Sequence, residues 1–357
     1  MFQVKAKSTL AVRHCAISLV FLLSCLVLPV TVQASTFEIH LAATGSDANS
    51  GLVKDEPIVS LNQAQEILFA HQPQGPVEIV IKKGVYKAQT VRWTYTNGEK
   101  IVFRAENESG LRPVFDGQGS LETWFTLSKR DGAPSRLEFR HLKVQNYSTA
   151  MNFYADRNNI DRGNSHNALE SMYFYRIGGR FSEQAHSTAA VRFVNSSFNT
   201  IVNSHFVDIL NPHKQAHLIH AVYMAHHSSG NTLRNNRFLR INGDPVKVRD
   251  SSNNNRIEAN VFISTGKKAV FQDWYCQDGP DNCTKPTVEC PSIGNVFTKN
   301  KLGIGYYGHV QAFDLWRSNT YCGELAKPRL RTAQNSGFGS MSTTTTSGGQ
   351  AGSVPLN

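Results

Sequence analysis

One stretch near the middle of the chain is rich in side chains that could carry acid–base chemistry. It contains His220, Tyr223, His226, Lys247 and Arg249. An arginine can hold a carboxylate with two hydrogen bonds, and a neutral histidine, a tyrosine or a lysine of lowered pKa can move a proton. β-Elimination from a uronate sugar needs both kinds of group, because the C5 proton leaves next to a carboxylate whose developing charge must be stabilised. The residue types in this stretch are therefore suited to that reaction.

The residue types also predict a role for each of these five side chains. Arg249 is predicted to clamp the carboxylate, with Lys247 or His226 as the base, and His220 and Tyr223 are candidates for the acid. A plain structural interpretation stands beside these roles. Tyr223 could be a core residue with a bonded hydroxyl, and Lys247 and Arg249 could be solvated strand residues.

Further polar residues lie close in sequence to these five. Arg192, His227, Asp250 and Trp274 are candidates for binding the substrate. Asp244 and Asp250 could hold a Ca²⁺ ion, since carboxylate oxygens are ligands that this cation takes. Ca²⁺ is the one cofactor that the sequence suggests, and the same two carboxylates could instead orient the basic residues.

These residues share one face only if their strands are in the right register. Three strand segments each end in a pair of serines, and we take as equivalent positions Ser196, Ser228 and Ser251. Because side chains alternate along a strand, this alignment predicts an outward set made of Arg192, Val194, Met224, His226, Lys247 and Arg249. Tyr223 is predicted to point inward. Stacked coils lie about 4.8 Å apart, so His226 and Arg249 are predicted to be neighbours.

A repeat indicates which elements position this face. An Asn or Ser is followed two residues later by a large apolar residue and seven residues later by Phe or Leu. The first positions are Ser135, Asn167, Asn199, Asn231, Asn255 and Asn295. The second are Leu137, Leu169, Ile201, Leu233, Ile257 and Phe297, and the third are Leu142, Phe174, Phe206, Phe238, Phe262 and Leu302. Self-similarity at such a period is typical of a solenoid, and the four phenylalanines are predicted to stack in its core.

Short apolar segments separated by Asn, Ser and Gly predict strands of a few residues, and hence an all-β fold in the form of a parallel β-helix. A helix over residues 60–68, with Ser60 as its N-cap, is predicted to cover the open N-terminal end, and the cap as a whole spans about residues 36–90.

This organisation resembles the right-handed parallel β-helix proteins of the pectate-lyase superfamily. The resemblance rests on HLAATGSDANSG (40–51), PIVSLNQAQ (57–65), VEIVIKKGVY (77–86) and the coils that follow, to about residue 320. It implies a right-handed solenoid that acts on polysaccharides, most simply a lyase for an acidic, uronate-containing glycan. The Asp-Pro-His-Asp motif of the alginate epimerases in that superfamily is absent; only Asp244-Pro245 is present.

Three other functions stay open on the same resemblance. A non-catalytic glycan-binding or surface protein would need no proton transfer, and a C5-epimerase would share the first step of the lyase. An inverting glycoside hydrolase would need two carboxylates on one face, for which the nearby candidates are Asp244, Asp250 and Asp273. The cluster of bases and cations favours an enzyme over a binding protein.

The N-terminal 34 residues are predicted to be a secretory signal peptide. Lys5, Lys7 and Arg13 precede an apolar run over residues 16–28, which is too short for a comfortable membrane span. The remaining chain is predicted to consist of a β-helix domain over residues 35–330 and a disordered Gly/Ser/Thr-rich tail over residues 331–357. We expect a secreted or periplasmic monomer without a membrane span.

Charge and cysteines agree with export. The chain has 37 Lys and Arg against 27 Asp and Glu, a net charge of +10; without the predicted signal peptide the net charge is +7. This scattered excess suits an acidic polysaccharide better than nucleic acid as the partner. Outside the signal peptide the cysteines are Cys276, Cys283, Cys290 and Cys322. An even number in an exported chain predicts two disulfides, with three connectivities open.

Overall fold

The computed structural model describes residues 35–120, 122–276, 289–316, 322 and 325–337. Within them, three parallel sheets run side by side, and the chain passes from the first to the second to the third in each successive coil. The predicted right-handed parallel β-helix is confirmed, in the hand that parallel crossover connections take. No helix in these residues is long and apolar enough to span a membrane.

The strands of the three sheets have the following bounds in the described part of the chain. The first sheet contains Phe37–Leu41, Val77–Ile81, Ile101–Ala105, Leu137–Arg140, Ala168–Glu170, Thr200–Val202, Thr232–Arg234, Arg256–Glu258, Asn295–Thr298 and Leu330–Ala333. The second contains Val85–Lys87, Val114–Asp116, Lys143–Gln145, Tyr173–Ile177, His205–Ile209, Arg237–Ile241, Val261–Thr265, Lys301–Leu302 and Ser336–Gly337. The third contains Val91–Trp93, Thr123–Ser128, Thr149–Tyr154, Ala189–Val194, His220–Ala225, Val246–Arg249, Ala269–Trp274 and Gln311–Leu315. Asn164–Ser165 and Ser196–Ser197 form a small fourth pair.

The predicted capping helix is confirmed and spans Leu61–His71. The Ser60 hydroxyl accepts a hydrogen bond from the Gln63 backbone N–H, as an N-cap does. The helix ends at His71, and Gln72 caps it in the left-handed conformation. Its buried apolar face consists of Leu61, Ala64, Ile67 and Leu68, and this face packs on the open end of the solenoid. Short 3₁₀ turns lie at Ile160–Arg162, Gly179–Phe181 and His213–Leu218.

The predicted core column of phenylalanines is confirmed. Phe174, Phe206, Phe238 and Phe262 are buried and in register across four coils. Their ring centroids lie 4.8, 4.9 and 4.6 Å apart along the column, and the rings are stacked. Identical rings at the coil spacing therefore fill the core by contact between neighbouring coils, as expected for a solenoid.

The repeated Asn is explained by a ladder of hydrogen bonds between coils. The backbone N–H of Asn199 donates to Oδ1 of Asn231 (2.9 Å), and that of Asn231 donates to Oδ1 of Asn255 (2.9 Å). Each buried side chain thus satisfies a backbone donor of the preceding coil at a turn, where no sheet bond is available. A second ladder, not predicted, runs through Ser204, Asn236, Asn260, Asn300 and Asn335.

The repeat was placed wrongly in its first unit. Ser135 belongs to the ladder, because its hydroxyl donates to Asn167 Oδ1 (2.8 Å). The residues in register with Leu169 and Phe174, however, are Phe139 and Val144, not the predicted Leu137 and Leu142. Two extra residues follow Ser135 before the aligned part of its strand, and both predicted leucines remain in the core.

The predicted boundary between the β-helix and the tail is also wrong. Leu330–Ala333 and Ser336–Gly337 extend the first and second sheets to residue 337. The physical reason is that Asn335 continues the second ladder, accepting the backbone N–H of Asn300 at 3.0 Å. The predicted signal peptide and residues 338–357 of the predicted tail lie outside the described residues.

One predicted disulfide has a defined pair in the described residues. Cys290 and Cys322 are bonded, with their Cα atoms 5.8 Å apart. Cys276 is also disulfide-bonded, whereas Cys283 lies outside the described residues. The disulfides are consistent with folding in an oxidising compartment.

We expect Asn231→Ala to lower the free energy of unfolding by about 2–4 kcal/mol, because it leaves the buried backbone and side-chain N–H groups of Asn199 without their acceptor. Urea denaturation followed by circular dichroism measures this. The control is Asn158→Ala at an exposed turn position, which should change stability by less than about 0.5 kcal/mol. Equal effects of the two substitutions would show that the ladder contributes no stability.

Candidate functional site

The outward face of the third sheet carries a column of mostly polar side chains, one from each coil. Strand pairing places each of them beside the next along the sheet. From the N-terminal coil onward, the column is Arg92, Thr126, Asn152, Arg192, Tyr223, Lys247, Gln272 and Asp314. A parallel outward column contains Val194, Ala225, Arg249 and Trp274. Arg192, Tyr223 and Lys247 therefore occupy three consecutive coils of one face.

The predicted register was wrong for one strand of this face. Tyr223, predicted to point inward, pairs with Arg192 on one side and Lys247 on the other and belongs to the outward column. Met224, predicted to point outward, lies in the core. The correction matters for function because it brings the tyrosine hydroxyl to the same face as the two basic side chains.

The turns after these strands explain the error. The turn after the first strand has one residue in the left-handed conformation, Asn195. The turns after the second and third strands have two each, His226 and His227 in one, and Asp250 and Ser251 in the other. Because of the extra residue, the second and third strands end one residue farther from their bonded serine than the first strand does. The serines that bond between coils are Ser196, Ser228 and Ser252, not Ser251: the Ser196 N–H donates to Ser228 Oγ (3.1 Å) and the Ser228 N–H to Ser252 Oγ (3.2 Å).

Lys247 is a half-buried lysine whose ammonium has no hydrogen bond or ion pair among the described residues. The ammonium forms a cation–π contact with Trp274, whose ring centroid lies 5.0 Å from Nζ. Burial lowers the pKa of Lys247 to about 8, with the nearby charge of Arg249 adding to the effect and Asp244 opposing it. Part of the amine is therefore neutral at mildly alkaline pH, as a base requires.

Arg249 is already paired with a carboxylate of the protein. Its Nε and Nη2 donate to Oε2 (2.7 Å) and Oε1 (2.6 Å) of Glu289, a side chain that is 2 % exposed. Its guanidinium also lies 4.7 Å from the ring centroid of Trp274, and its Nη1 donates to the Tyr223 hydroxyl at 3.4 Å. The two-pronged clamp predicted for a substrate carboxylate is thus formed, but it holds Glu289.

Tyr223 and His220 stack on each other in the strand next to Lys247. Their ring centroids are 5.6 Å apart, and the His220 Nδ1 lies 2.6 Å from the Asp244 carbonyl oxygen. Since a carbonyl only accepts, His220 carries its proton on Nδ1, and burial lowers its pKa well below the usual value. Burial raises the pKa of Tyr223, with Arg249 opposing. At neutral pH the tyrosine is therefore a proton donor and the histidine is uncharged.

A groove with a volume of about 430 Å³ lies over the N-terminal half of the column. It is lined by Arg92, Thr126, Asn152, Arg192, Arg130 and Tyr154, among others. Two buried atoms, Arg192 Nε and Asn152 Oδ1, have no hydrogen-bond partner within the described part of the chain. None of the three arginines forms an ion pair with a described residue. The groove is therefore suited to a polar, anionic ligand that satisfies these groups.

The three carboxylates proposed for a hydrolase are all engaged within the protein. Asp244 Oδ1 accepts the backbone N–H groups of residues 267, 268 and 269 at 2.8–3.0 Å. Asp250 Oδ2 lies 2.8 Å from His226 Nδ1, and Asp273 is bonded to Arg329 (2.6 and 2.8 Å). They form no facing pair with a free carboxylate, so the geometry does not favour acid–base hydrolysis by two carboxylates.

Asp244 and Asp250, the pair predicted to hold calcium, are each engaged by other groups of the protein. Among the described residues, the one group of His, Cys, Asp and Glu side chains close enough to share a metal ion is His226, Asp250 and Glu289. Asp244 is not part of it. Within this group His226 contacts Asp250, and Glu289 is bonded to Arg249. The carboxylate oxygens of the group therefore already have partners in the protein.

The remaining residues that the sequence suggested, His226, His227 and Trp274, contact other residues of the protein. His226 is 6 % exposed and lies in the turn beside Asp250. His227 is half-buried in the same turn, and its carbonyl accepts the Ser197 hydroxyl at 3.1 Å. Trp274 lies against both Lys247 and Arg249, so it forms the wall that limits their movement.

Sequence reasoning missed Glu289, Asn152, Arg92 and Arg130. No spacing in the chain predicts that Glu289, forty residues after Arg249, would turn back onto it. Arg92 and Asn152 could have been found by extending the register of Arg192 toward the N-terminus, because they occupy the same position on earlier coils.

The fold and this face define the class of the molecule: a right-handed parallel β-helix with a groove of cationic and hydroxyl groups on its third sheet. Pectate lyase Pel9A is similar to it with a TM-score of 0.54 at 15% identity, over 86% of this chain and 78% of that chain. The endo-xylogalacturonan hydrolase from Aspergillus tubingensis has a TM-score of 0.48 at 11% identity, over 89% and 100% of the two chains.

The alginate lyase from Paenibacillus sp. str. FPU-7 has a TM-score of 0.46 at 13% identity, over 85% and 98% of the two chains. No protein-family model and no curated protein matches the sequence. At 15% identity the likeness to Pel9A is one of fold alone, and it agrees with the predicted parallel β-helix. A shared fold does not determine the chemistry, which depends on the residues of the site.

Proposed function

We propose that this protein is an exported polysaccharide lyase that cleaves an acidic, uronate-containing glycan by β-elimination. The observation that carries the proposal is Lys247, a half-buried lysine of lowered pKa whose ammonium has no hydrogen bond or ion pair with a described residue and lies in line with Tyr223 and Arg192. A lysine kept partly neutral beside a cation and a proton donor is the set of groups that this elimination needs.

In the proposed reaction, neutral Lys247 takes the C5 proton of the uronate. The electron pair of the C5–H bond forms the C4=C5 double bond, and the C4–O bond breaks. The leaving oxygen takes the hydroxyl proton of Tyr223. Arg192 supports the uronate carboxylate, because its guanidinium forms no ion pair with any described residue and is adjacent along the column to Tyr223. Arg249, the carboxylate clamp favoured by sequence, is less suited since Glu289 occupies it.

The groove supports an acidic chain as the substrate. Arg92 and Arg130 line it together with Arg192, and the neighbouring Thr, Ser and Asn side chains can bond sugar hydroxyl groups. The neighbours of known fold include a pectate lyase, which adds an analogy of architecture and nothing about the particular glycan. The disulfide between Cys290 and Cys322 agrees with action outside the cytoplasm.

The first test is the ultraviolet absorbance of the protein mixed with a panel of uronate polymers, with Ca²⁺ or with a chelator. We expect one polymer to develop the absorbance of an unsaturated uronate, and Arg192→Gln to reduce the rate by about 10²-fold. Arg112→Gln, a half-buried arginine on the second sheet side of the solenoid, is the matched control and should retain the rate. A Ca²⁺ requirement would appear as loss of the signal in the chelator arm.

A second candidate, a non-catalytic glycan-binding protein, is favoured by the pairing of Arg249 with Glu289, which removes one cation from catalysis. Affinity electrophoresis in gels containing the same polymers distinguishes it: retardation without absorbance and without new reducing ends indicates binding alone. An epimerase would exchange the C5 hydrogen for deuterium from the solvent without forming a double bond. Any of these outcomes would overturn the lyase proposal.

A further inference from the structure

Glu289 is a carboxylate beside the candidate site that is only 2 % exposed, and several contacts fix it there. Its Oε2 accepts the backbone N–H of Cys276 at 2.8 Å, in addition to its two bonds with Arg249. It directly precedes Cys290, which is disulfide-bonded to Cys322. The backbone N–H of Cys290 in turn donates to Asp250 Oδ1 at 3.3 Å. The carboxylate is thus held against Arg249 by the backbone and a covalent link.

Arg249 connects this carboxylate to the proposed acid. Its Nη1 donates to the hydroxyl oxygen of Tyr223, which leaves the proton of that hydroxyl for another acceptor. The Arg249 side chain is confined on its other side by the ring of Trp274. A rigid chain of contacts therefore runs from Glu289 through Arg249 to Tyr223.

We propose that Glu289 is a positioning residue that offsets the charge of Arg249 and orients its guanidinium, and so adds to burial in keeping Tyr223 in its protonated, proton-donating form. The role of Tyr223 as an acid in this inference rests on the proposed lyase function. The contacts from Glu289 through Arg249 to Tyr223 do not depend on that function.

The direction of the effect follows from the charges that face Tyr223. His220 stacks on it from its own strand, Arg192 lies on the preceding strand, and Lys247 and Arg249 lie on the following one. Cations lower a tyrosine pKa and anions raise it. Burial is the main cause of the raised pKa of Tyr223; Arg249 lowers this pKa, and Glu289 raises it further. Removing the charge of Glu289 leaves Arg249 uncompensated, which favours the phenolate.

The variant Glu289→Gln tests the inference, because the amide keeps the shape and can still accept the Cys276 N–H. The measurement is a pH titration of the tyrosine ring carbons in protein labelled with ¹³C at tyrosine Cζ, with the Tyr223 signal assigned from Tyr223→Phe. We expect Tyr223 to titrate about one pH unit lower in Glu289→Gln than in the wild type. In Glu289→Asp, which keeps the charge, Tyr223 should titrate at nearly the same pH as in the wild type.

The matched control is Glu138→Gln, which removes another buried carboxylate bonded to basic residues, Arg140 and Lys100, on the first sheet. It should leave the Tyr223 titration unchanged. Superimposable Tyr223 curves for the wild type and Glu289→Gln over the pH range in which both stay folded would overturn the inference, including the case in which neither titrates. So would an equal shift in Glu138→Gln.

The titration also separates the two proposals. If no polymer gives product but the Tyr223 signal shifts as expected, the lyase function fails and the positioning role stands as an electrostatic one. If a polymer is cleaved, the alkaline limb of its pH profile should move down in Glu289→Gln by the same amount as the Tyr223 titration, because loss of the acid then limits the rate.

Discussion

Lys247→Met is expected to abolish product formation on any polymer that the wild type cleaves, with a loss of about 10³-fold or more. The methionine side chain fills nearly the same space against Trp274 but cannot accept the C5 proton, and loss of a positioned base typically costs 10²–10⁴-fold. Lys247→Arg is expected to be equally inactive, because a guanidinium stays protonated at all accessible pH values. Initial rates of absorbance increase measure both variants.

The wild-type pH profile gives a second, independent reading of Lys247. Only the neutral amine can act as the base, so the rate should rise with pH through about 8, the lowered pKa of this side chain. The rise should have unit slope below that pH and level off above it, until ionisation of Tyr223 removes the acid. A rate that rises instead at a pH near 6.5 would point to a histidine as the base.

The control for Lys247→Met is Lys301→Met, which makes the same change of charge and shape at an exposed position on the second sheet. It should retain the wild-type rate. Substantial activity in Lys247→Met, or an equal loss in Lys301→Met, would exclude Lys247 as the base. Binding of the polymer by Lys247→Met, measured by affinity electrophoresis, should persist because the groove arginines are unchanged.

Asp273→Ala is expected to lower the free energy of unfolding by about 3–5 kcal/mol, one of the largest effects of any single substitution outside the core. Asp273 is 1 % exposed and bonded by two nitrogens of Arg329, whose side chain is also buried. Removing one partner of such a pair leaves an uncompensated buried charge. The loss should appear as a lower midpoint in thermal and urea unfolding.

The same ion pair connects the third sheet to the last coil, so its loss should also disturb the structure of the candidate site. Asp273 lies next to Trp274 in the strand that follows Lys247, and its carboxylate is also within 3.4 Å of the Ser292 backbone nitrogen. The control is Arg256→Ala, which breaks an exposed pair with Glu258 on the first sheet and should cost less than about 1 kcal/mol. Similar losses in both variants would mean that burial does not strengthen the effect of the first pair.

Much of the fold was predictable because it is repetitive. Asn199, Asn231 and Asn255 recur at positions where each must accept a backbone N–H from the coil before it, and Phe206 and Phe238 recur where rings must stack. A solenoid makes only nearest-neighbour contacts, so a period in the chain is a period in space. The capping helix was predictable for a local reason, its N-cap and its apolar face.

The site was predictable only in part, because it depends on a register that the period does not determine. Arg192, Lys247 and Arg249 were assigned to the correct face from alternation alone. Tyr223 was assigned to the wrong face, since the turn at His226 and His227 contains one more left-handed residue than the turn at Asn195. One such residue reverses inward and outward for a whole strand, and no composition signal marks it.

The amino-acid sequence by itself determined the solenoid, its capped end, the identity of its core columns and the presence of bases and cations on one stretch. Only the tertiary structure decided which of those cations is open to a ligand. Arg249 and Glu289 are forty positions apart in the chain, and only the fold brings them within hydrogen-bonding distance. Lys247 has no such partner among the described residues. Pairing between distant charges depends on distance and burial, which local periodicity does not encode.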